Sequence, residues 1–198
     1  RWRKQLVEAG DRRADPGVGW RTRLMIALAK RFGADFILPT IAERERIDSA
    51  GYAVISTSAE GHIRIFNAAA ERMIGYKAAE VIGRPTSILV HDWTEVERRA
   101  KALSVELGRP VSPDFEVFVA KARLGQADEH EWTYVRKDGT KLPVLLSVTP
   151  VRDERGVILG FMGIASDITE RKRAETQLQQ ARQAAESASR AKGEFLAN

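Results

Sequence analysis

The chain has 198 residues, of which 43% are apolar and 30% charged, so it can bury a core and is not wholly disordered. That length suits one domain of ordinary size with flanking segments, or two small domains. The sequence has no cysteine, which excludes disulfides, thiolate metal sites, cysteine nucleophiles and flavin–thiol adducts. This composition is consistent with a reducing, cytoplasmic location.

The net charge of +5 is concentrated near the N-terminus. Residues 1–33 hold nine basic and three acidic side chains, a net +6, which leaves the other 165 residues at −1. We expect residues 1–22 to form a basic leader. Such a leader suits a nucleic-acid-binding regulator, and equally a juxtamembrane segment or a solvated linker. The chain begins with Arg, which leaves open a membrane anchor upstream in a longer parent protein.

Residues 23–47 are predicted to form a helical segment in two pieces. Leu24, Leu28 and Phe32 recur at helical spacing, and Pro39 is well placed to open the second piece. This segment is therefore expected to flank the main domain.

The main domain is predicted at residues 48–167 and begins with a hairpin. Strands at Ala53–Ser58 and His62–Phe66 flank a Glu-Gly pair that is typical of a tight turn. Asn67 is then expected to cap a helix over residues 68–74, because its side chain can accept a free backbone N–H.

The next segment is predicted to be helical for one long stretch. Thr94 and Glu97 have capping-box spacing, and Gly108 is expected to end the helix. Residues 112–125 fit either a strand or a helix, because their apolar residues match both periods.

Three further strands are predicted, at Glu131–Lys137, Thr140–Val151 and Val157–Ser166. Asp138-Gly139 is the pair that type I′ turns favour. The fold class is therefore α+β, a five-stranded antiparallel sheet with helices inserted after the second strand. The Thr140–Val151 strand has apolar residues on both faces, so the outer face should also be covered, by residues 23–47 or by a second subunit.

Residues 168–198 are predicted to form a coiled-coil helix. The seam residues repeat at alternating spacings of four and three, with Lys192 as the polar exception, and are Ala174, Leu178, Ala181, Ala185, Ala188, Lys192 and Phe195. Asp167, Thr169 and Glu170 are expected to cap this helix and to couple it to the last strand.

Residues 48–172 resemble the PAS sensory domain with its C-terminal PAC segment. The fragments that carry this resemblance occur in the family's order and spacing: Ile65-Phe66-Asn67, Ile74-Gly75-Tyr76, Glu80-x-x-Gly83, Arg136-Lys137-Asp138-Gly139, Thr149-Pro150-Val151 and Asp167-Ile168-Thr169-Glu170-Arg171-Lys172. The resemblance implies a ligand pocket between the sheet and the inserted helices. Its candidate walls are Phe66, Met73, Ile74, Leu89, Trp132, Tyr134, Met162 and Ile164.

The resemblance also raises the question of a cofactor. Some PAS domains bind haem through a histidine in the inserted region, where His91 is the candidate; others bind flavin, on which Trp93 and Trp132 could stack. A filled core without a ligand is the open alternative to the pocket, and we expect neither haem nor flavin here. The histidines, His62, His91 and His130, are too widely spaced for a metal motif.

Residues 191–198, Ala-Lys-Gly-Glu-Phe-Leu-Ala-Asn, resemble the start of the dimerisation helix of sensor histidine kinases. The phosphoacceptor histidine and the nucleotide-binding motifs of that family lie beyond this stretch. We therefore expect a non-enzymatic, homodimeric PAS module of a two-component sensor histidine kinase, with a response regulator as downstream partner. The alternative is the nucleic-acid-binding regulator.

Overall fold

The computed structural model describes residues 51–126 and 128–196. In the described part of the chain, the hairpin of β1 (Ala53–Ser58) and β2 (Ile63–Phe66) comes first, and three further strands follow later in the sequence: β3 (Asp128–Val135), β4 (Lys141–Arg152) and β5 (Ile158–Asp167). They form one antiparallel sheet in the order β2-β1-β5-β4-β3. The predicted α+β class and five-stranded sheet are confirmed. The leader and the 23–47 segment lie outside the described residues.

The three hairpins share one turn geometry. In each, a glycine with φ between 81° and 92° donates its N–H to the carbonyl of the residue three positions earlier. That earlier residue in turn donates its N–H to the carbonyl of the residue after the glycine. The glycines are Gly61, Gly139 and Gly156. Such a turn is a type I turn followed by a bulge. The predicted type I′ turn at Asp138-Gly139 is wrong, because that turn needs positive φ at both residues and only Gly139 has it.

Five helices lie between β2 and β3. They are α1 (Ala68–Ile74), α2 (Ala78–Val81), α3 (Ser87–Val90), α4 (Trp93–Leu107) and α5 (Glu116–Arg123). Asn67 caps α1 as predicted, its side-chain oxygen accepting from the N–H of Ala70 at 2.9 Å. Gly108 ends α4, also as predicted.

The start of α4 differs from the prediction, and the form of residues 112–125 is resolved. α4 begins at Trp93 rather than after Thr94, because the carboxylate of Asp92 accepts the N–H of Thr94 at 3.0 Å and so takes the cap. Glu97 instead accepts a hydrogen bond from the Trp93 indole. The ambiguous stretch 112–125 is helical over α5.

The inserted helices cover one face of the sheet, and the core lies between them. The inner face carries alternate residues of each strand, for example Ile55, Val144, Phe161 and Ala165. On the outer face Ser56 and Met162, which pair with each other, are also buried, with Met162 only 3% exposed. That part of the outer face, on β1 and β5, is therefore buried.

The last helix, α6 (Thr169–Leu196), follows β5 after a single residue, Ile168. Ile168 is buried and donates its N–H to the carbonyl of Pro143 on β4 at 3.1 Å. The sheet therefore passes into α6 with no loop between them.

Candidate functional site

A cluster of four rings lies between the sheet and the inserted helices. The ring of His91, which follows α3, stacks on Phe118 of α5 with centroids 4.1 Å apart. Trp132 and Tyr134 of β3 meet it edge-on at 5.6 and 4.9 Å, and Phe118 also contacts Trp132 at 4.8 Å. Burial raises the pKa of Tyr134, so its hydroxyl stays protonated throughout the physiological range.

Six of the eight predicted pocket walls belong to this interior. Four are buried in the core and two, Met73 and Leu89, are half-buried against it; the four are Phe66, Ile74, Trp132 and Tyr134. The prediction that Met162 and Ile164 line the pocket is wrong. They pair with Ser56 and Val54 on the opposite face of the sheet, away from the inserted helices.

Sequence reasoning missed one central member of the ring cluster, Phe118. The sequence of its segment fits both strand and helix, and only the helical register turns Phe118 inward with Val119 and Ala122. Helical spacing of these residues is the signal that could have found it.

A haem does not fit beside His91 in this structure. Three rings surround the imidazole at the distances given above, so the volume that a porphyrin plane would occupy already holds side chains. The two tryptophans considered for a flavin stack lie in different surroundings. Trp93 is 48% exposed at the start of α4, whereas Trp132 is buried on β3.

Two concavities lie on the surface of the described part of the chain. The larger, about 420 Å³, opens between the β1–β2 hairpin and α5. The smaller, about 340 Å³, lies where α6 leaves the sheet and is lined by Pro143, Thr169, Lys172, Arg173, Thr176 and Gln177. Both open to solvent, and the smaller one lies at the junction between the sheet and α6.

The junction is built from backbone hydrogen bonds and one carboxylate. Asp167 accepts the N–H of Thr169 at 2.7 Å, and the first α6 backbone bond runs from Lys172 to the carbonyl of Ile168 at 2.9 Å. Glu170 does not reach back to the strand, because its carboxylate accepts from Arg173 one turn along α6. Of the three predicted coupling residues, Asp167 and Thr169 therefore meet at the junction and Glu170 points along the helix.

A charged cluster that sequence reasoning missed joins β3 to α6. Glu131 accepts from Arg171 and from Lys172, the latter at 2.5 Å, and Glu175 lies 3.7–3.8 Å from both cations. The hydrogen bond from Lys172 and the nearby cations hold the pKa of Glu131 below its usual value, and the same hydrogen bond raises the pKa of Lys172. Glu131 lies 40 residues before Arg171, so no local pattern could reveal the pair.

Beyond the junction α6 stands clear of the domain. All residues from 173 to 187 are exposed, and Leu178 is 72% exposed. Four predicted seam residues, Ala174, Leu178, Ala181 and Ala185, are thus presented to solvent. The side chains of Ala188 and Phe195 lie outside the described residues.

Other chemistry has little support in the described residues. They contain no group of three or more His, Asp or Glu side chains arranged to hold a metal ion. Among the same residues, no helix combines the length and the apolar character that a bilayer crossing requires.

A five-stranded antiparallel sheet with helices inserted after β2 is the architecture of a sensory, non-catalytic class of α+β domain. The profile of the family described as "PAS domain" matches residues 50–170. The chain belongs to the PAS domain family.

Relatives agree with this assignment. Two-component system protein A of Emericella nidulans is 34% identical over 148 residues, 74% of this chain and 19% of that protein. Sensor protein FixL of Bradyrhizobium diazoefficiens is 28% identical over 128 residues, 65% of this chain and 23% of that protein. The chain thus spans about a fifth of the length of these relatives.

A solved structure agrees in fold. The PAS domain of a protein from Colwellia psychrerythraea has a TM-score of 0.50 and 22% identity, and the match covers 67% of this chain and 99% of that one.

Proposed function

We propose that this chain is the dimeric signal-relay module of a two-component sensor histidine kinase. In this proposal a change in the packing of the PAS core alters the orientation of α6, which continues as a coiled coil toward a kinase dimerisation domain. A response regulator is the proposed downstream partner. The observation that carries the proposal is the direct passage of β5 into a long helix whose seam is exposed.

A stable solitary α6 is hard to reconcile with its exposure. Isolated helices gain most of their stability from packing an apolar face, and the described part of this seam packs on nothing in the domain. A second copy with the same seam would cover Leu178 and the alanines on either side of it. This supports a parallel homodimer in which both helices leave their domains in the same direction.

The composition of the seam supports a coiled coil that can change its arrangement rather than a rigid one. Alanine contributes one methyl group at each contact, whereas leucine contributes a larger apolar surface. Four of the seven seam positions are alanine and one is Lys192. We infer a weakly held coil that can occupy more than one register or rotation, so that a small change at the junction shifts its population.

The proposal requires no resident cofactor. A filled core can still respond, because a change in the packing of its rings moves β3 and the helices that contact it.

The test is the Asp167→Ala substitution in the full-length parent kinase. Removing the carboxylate frees the N–H of Thr169, so we expect autophosphorylation to lose most of its dependence on the stimulus while the kinase domain stays active. Phosphorylation is measured with and without stimulus. Asp138→Ala, which removes a comparable carboxylate from the distant β3–β4 turn, is the control. Unchanged regulation in Asp167→Ala would overturn the role of the junction.

A further inference from the structure

The direction of α6 is set within its first turns. The helix has 28 residues, and at 1.5 Å per residue it is about 42 Å long. A tilt of about 10° at the junction therefore moves the far end by about 7 Å. Because residues 173–187 are exposed, the described contacts that can control this tilt lie in the first two turns, up to Glu175.

Glu131 is the side chain of the sheet that holds this first turn by charge. One of its oxygens accepts from Arg171 and the other from Lys172, so the carboxylate contacts two successive residues of α6. Charge-assisted hydrogen bonds to both oxygens restrict rotation as well as tilt. Glu175, one turn further on, lies within 4 Å of both cations and keeps them in place.

The strand that carries Glu131 is also tied to the inserted helices. β3 is an edge strand, and its outward N–H at Thr133 donates to Glu95 of α4 at 2.7 Å. The Thr133 hydroxyl donates to the other oxygen of Glu95 at 2.8 Å, and the N–H of Asp92 donates to the Thr133 carbonyl at 3.0 Å. α4 and its cap residue therefore hydrogen-bond to β3 two residues away from Glu131.

A second contact between α4 and β3 lies at the start of the same strand. Arg99 of α4 pairs with Asp128 at the start of β3, at 3.4 Å. Both side chains are largely shielded from solvent, which reduces screening of the pair. α4 thus contacts β3 on both sides of Glu131, at residues 128 and 133.

We propose that Glu131 is a positioning residue that transmits movement of α4, through β3, to the orientation of α6. The proposal rests on the proposed function, because it names the contact by which the PAS core would steer the coiled coil. The ion pairs of Glu131 with Arg171 and Lys172 are about half-exposed, so they contribute little to the stability of the fold. Their effect is on the orientation of α6.

Spin labels can measure this direction, since the chain has no native cysteine. Lys101→Cys on α4 and Gln180→Cys on α6 place one label on the domain and one on the helix, both at exposed positions off the seam. Double electron–electron resonance with excess unlabelled chain reports the distance within one protomer. We expect Glu131→Gln to widen the distance distribution about twofold, with its thermal unfolding unchanged.

Three further variants complete the experiment. Glu154→Gln, which removes one exposed carboxylate from the β4–β5 turn, should leave the distribution as in the wild type. Glu95→Gln should widen it, because it weakens the grip of α4 on β3. Reversing all four charges of the cluster together (Glu131→Lys, Arg171→Glu, Lys172→Glu, Glu175→Lys) should restore the narrow distribution.

The outcomes separate the two proposals. A wild-type distribution in Glu131→Gln overturns the role of Glu131, and a wild-type distribution in Glu95→Gln overturns the link to α4. Neither result touches the dimeric relay, which fails instead if Asp167→Ala leaves kinase regulation intact.

Discussion

Asn67 shows how one polar side chain can join two parts of this domain. Its oxygen accepts from Val54 on β1 and from Ala70 on α1, both at 2.9 Å, and its nitrogen donates to the carbonyl of Tyr52 at 3.0 Å. The first contact orders the sheet and the second caps the helix. Asn67 therefore acts in the structure as a joint, and the core packs against both elements that it connects.

Replacing Asn67 with alanine should lower the free energy of unfolding by about 2–3 kcal/mol, since it removes a helix cap and hydrogen bonds to β1 and Tyr52. Asn67→Asp keeps both accepting contacts and loses only the donor to Tyr52, so it should cost less. Urea unfolding followed by circular dichroism measures both. Equal losses in the two variants would contradict the role assigned to the oxygen.

At the scale of elements, β1 and β5 form the centre of the sheet, and their close approach depends on a missing side chain. A Cβ placed at Gly160 would overlap the backbone carbonyl of Thr57 on β1. At Gly163, on the same strand, a Cβ would meet mainly the flexible end of Leu146, at 3.3 Å. Backbone cannot move without breaking the ladder, whereas a side-chain end can rotate.

Gly160→Ala should therefore destabilise the domain by about 1–3 kcal/mol through overpacking. Gly163→Ala should be close to neutral, because the loss of chain entropy in the unfolded state offsets a small rearrangement of Leu146. Denaturant midpoints of the two variants, compared with the wild type, give the difference. A neutral Gly160→Ala would show that β1 and β5 are less closely packed than the structure indicates.

At the scale of the whole molecule, the domain and α6 have opposite packing. The domain buries a continuous core between its sheet and five inserted helices, whereas the described side chains of α6 beyond the junction are all exposed. A charged cluster and one buried residue, Ile168, hold the two together. The proposed second copy would complete the packing of α6.

Ala181→Leu with Ala185→Leu should tighten the proposed dimer at least tenfold, since each substitution adds three carbons to the seam at ~0.8 kcal/mol per buried CH₂. Sedimentation equilibrium measures the dissociation constant. Gln179→Leu with Gln183→Leu adds leucines off the seam and should not tighten it. A wild-type chain that stays monomeric at a protein concentration of roughly tens of micromolar would contradict the homodimer. Equal tightening by both pairs of substitutions would contradict it as well.

The local features of this protein could be predicted because they depend on neighbours in the chain. Asn67 caps the helix that follows it, and Gly156 turns the chain between adjacent strands. Strand periodicity predicted the five-stranded sheet, and the order of the PAS fragments predicted the family. Each of these needs only residues a few positions apart, or a pattern along the chain.

Other features depend on which distant residues the fold brings together. The face on which Met162 lies follows from its register with Ser56, over a hundred residues earlier in the chain. The ring cluster needs the helical form of α5 to turn Phe118 toward Trp132, and the grip of Glu131 on Arg171 needs β3 and α6 to meet. By itself the sequence determined the five strands, the Asn67 cap and the family. Only the tertiary structure decided which rings meet in the core and which charges hold the helix, because packing and ion pairing act through space.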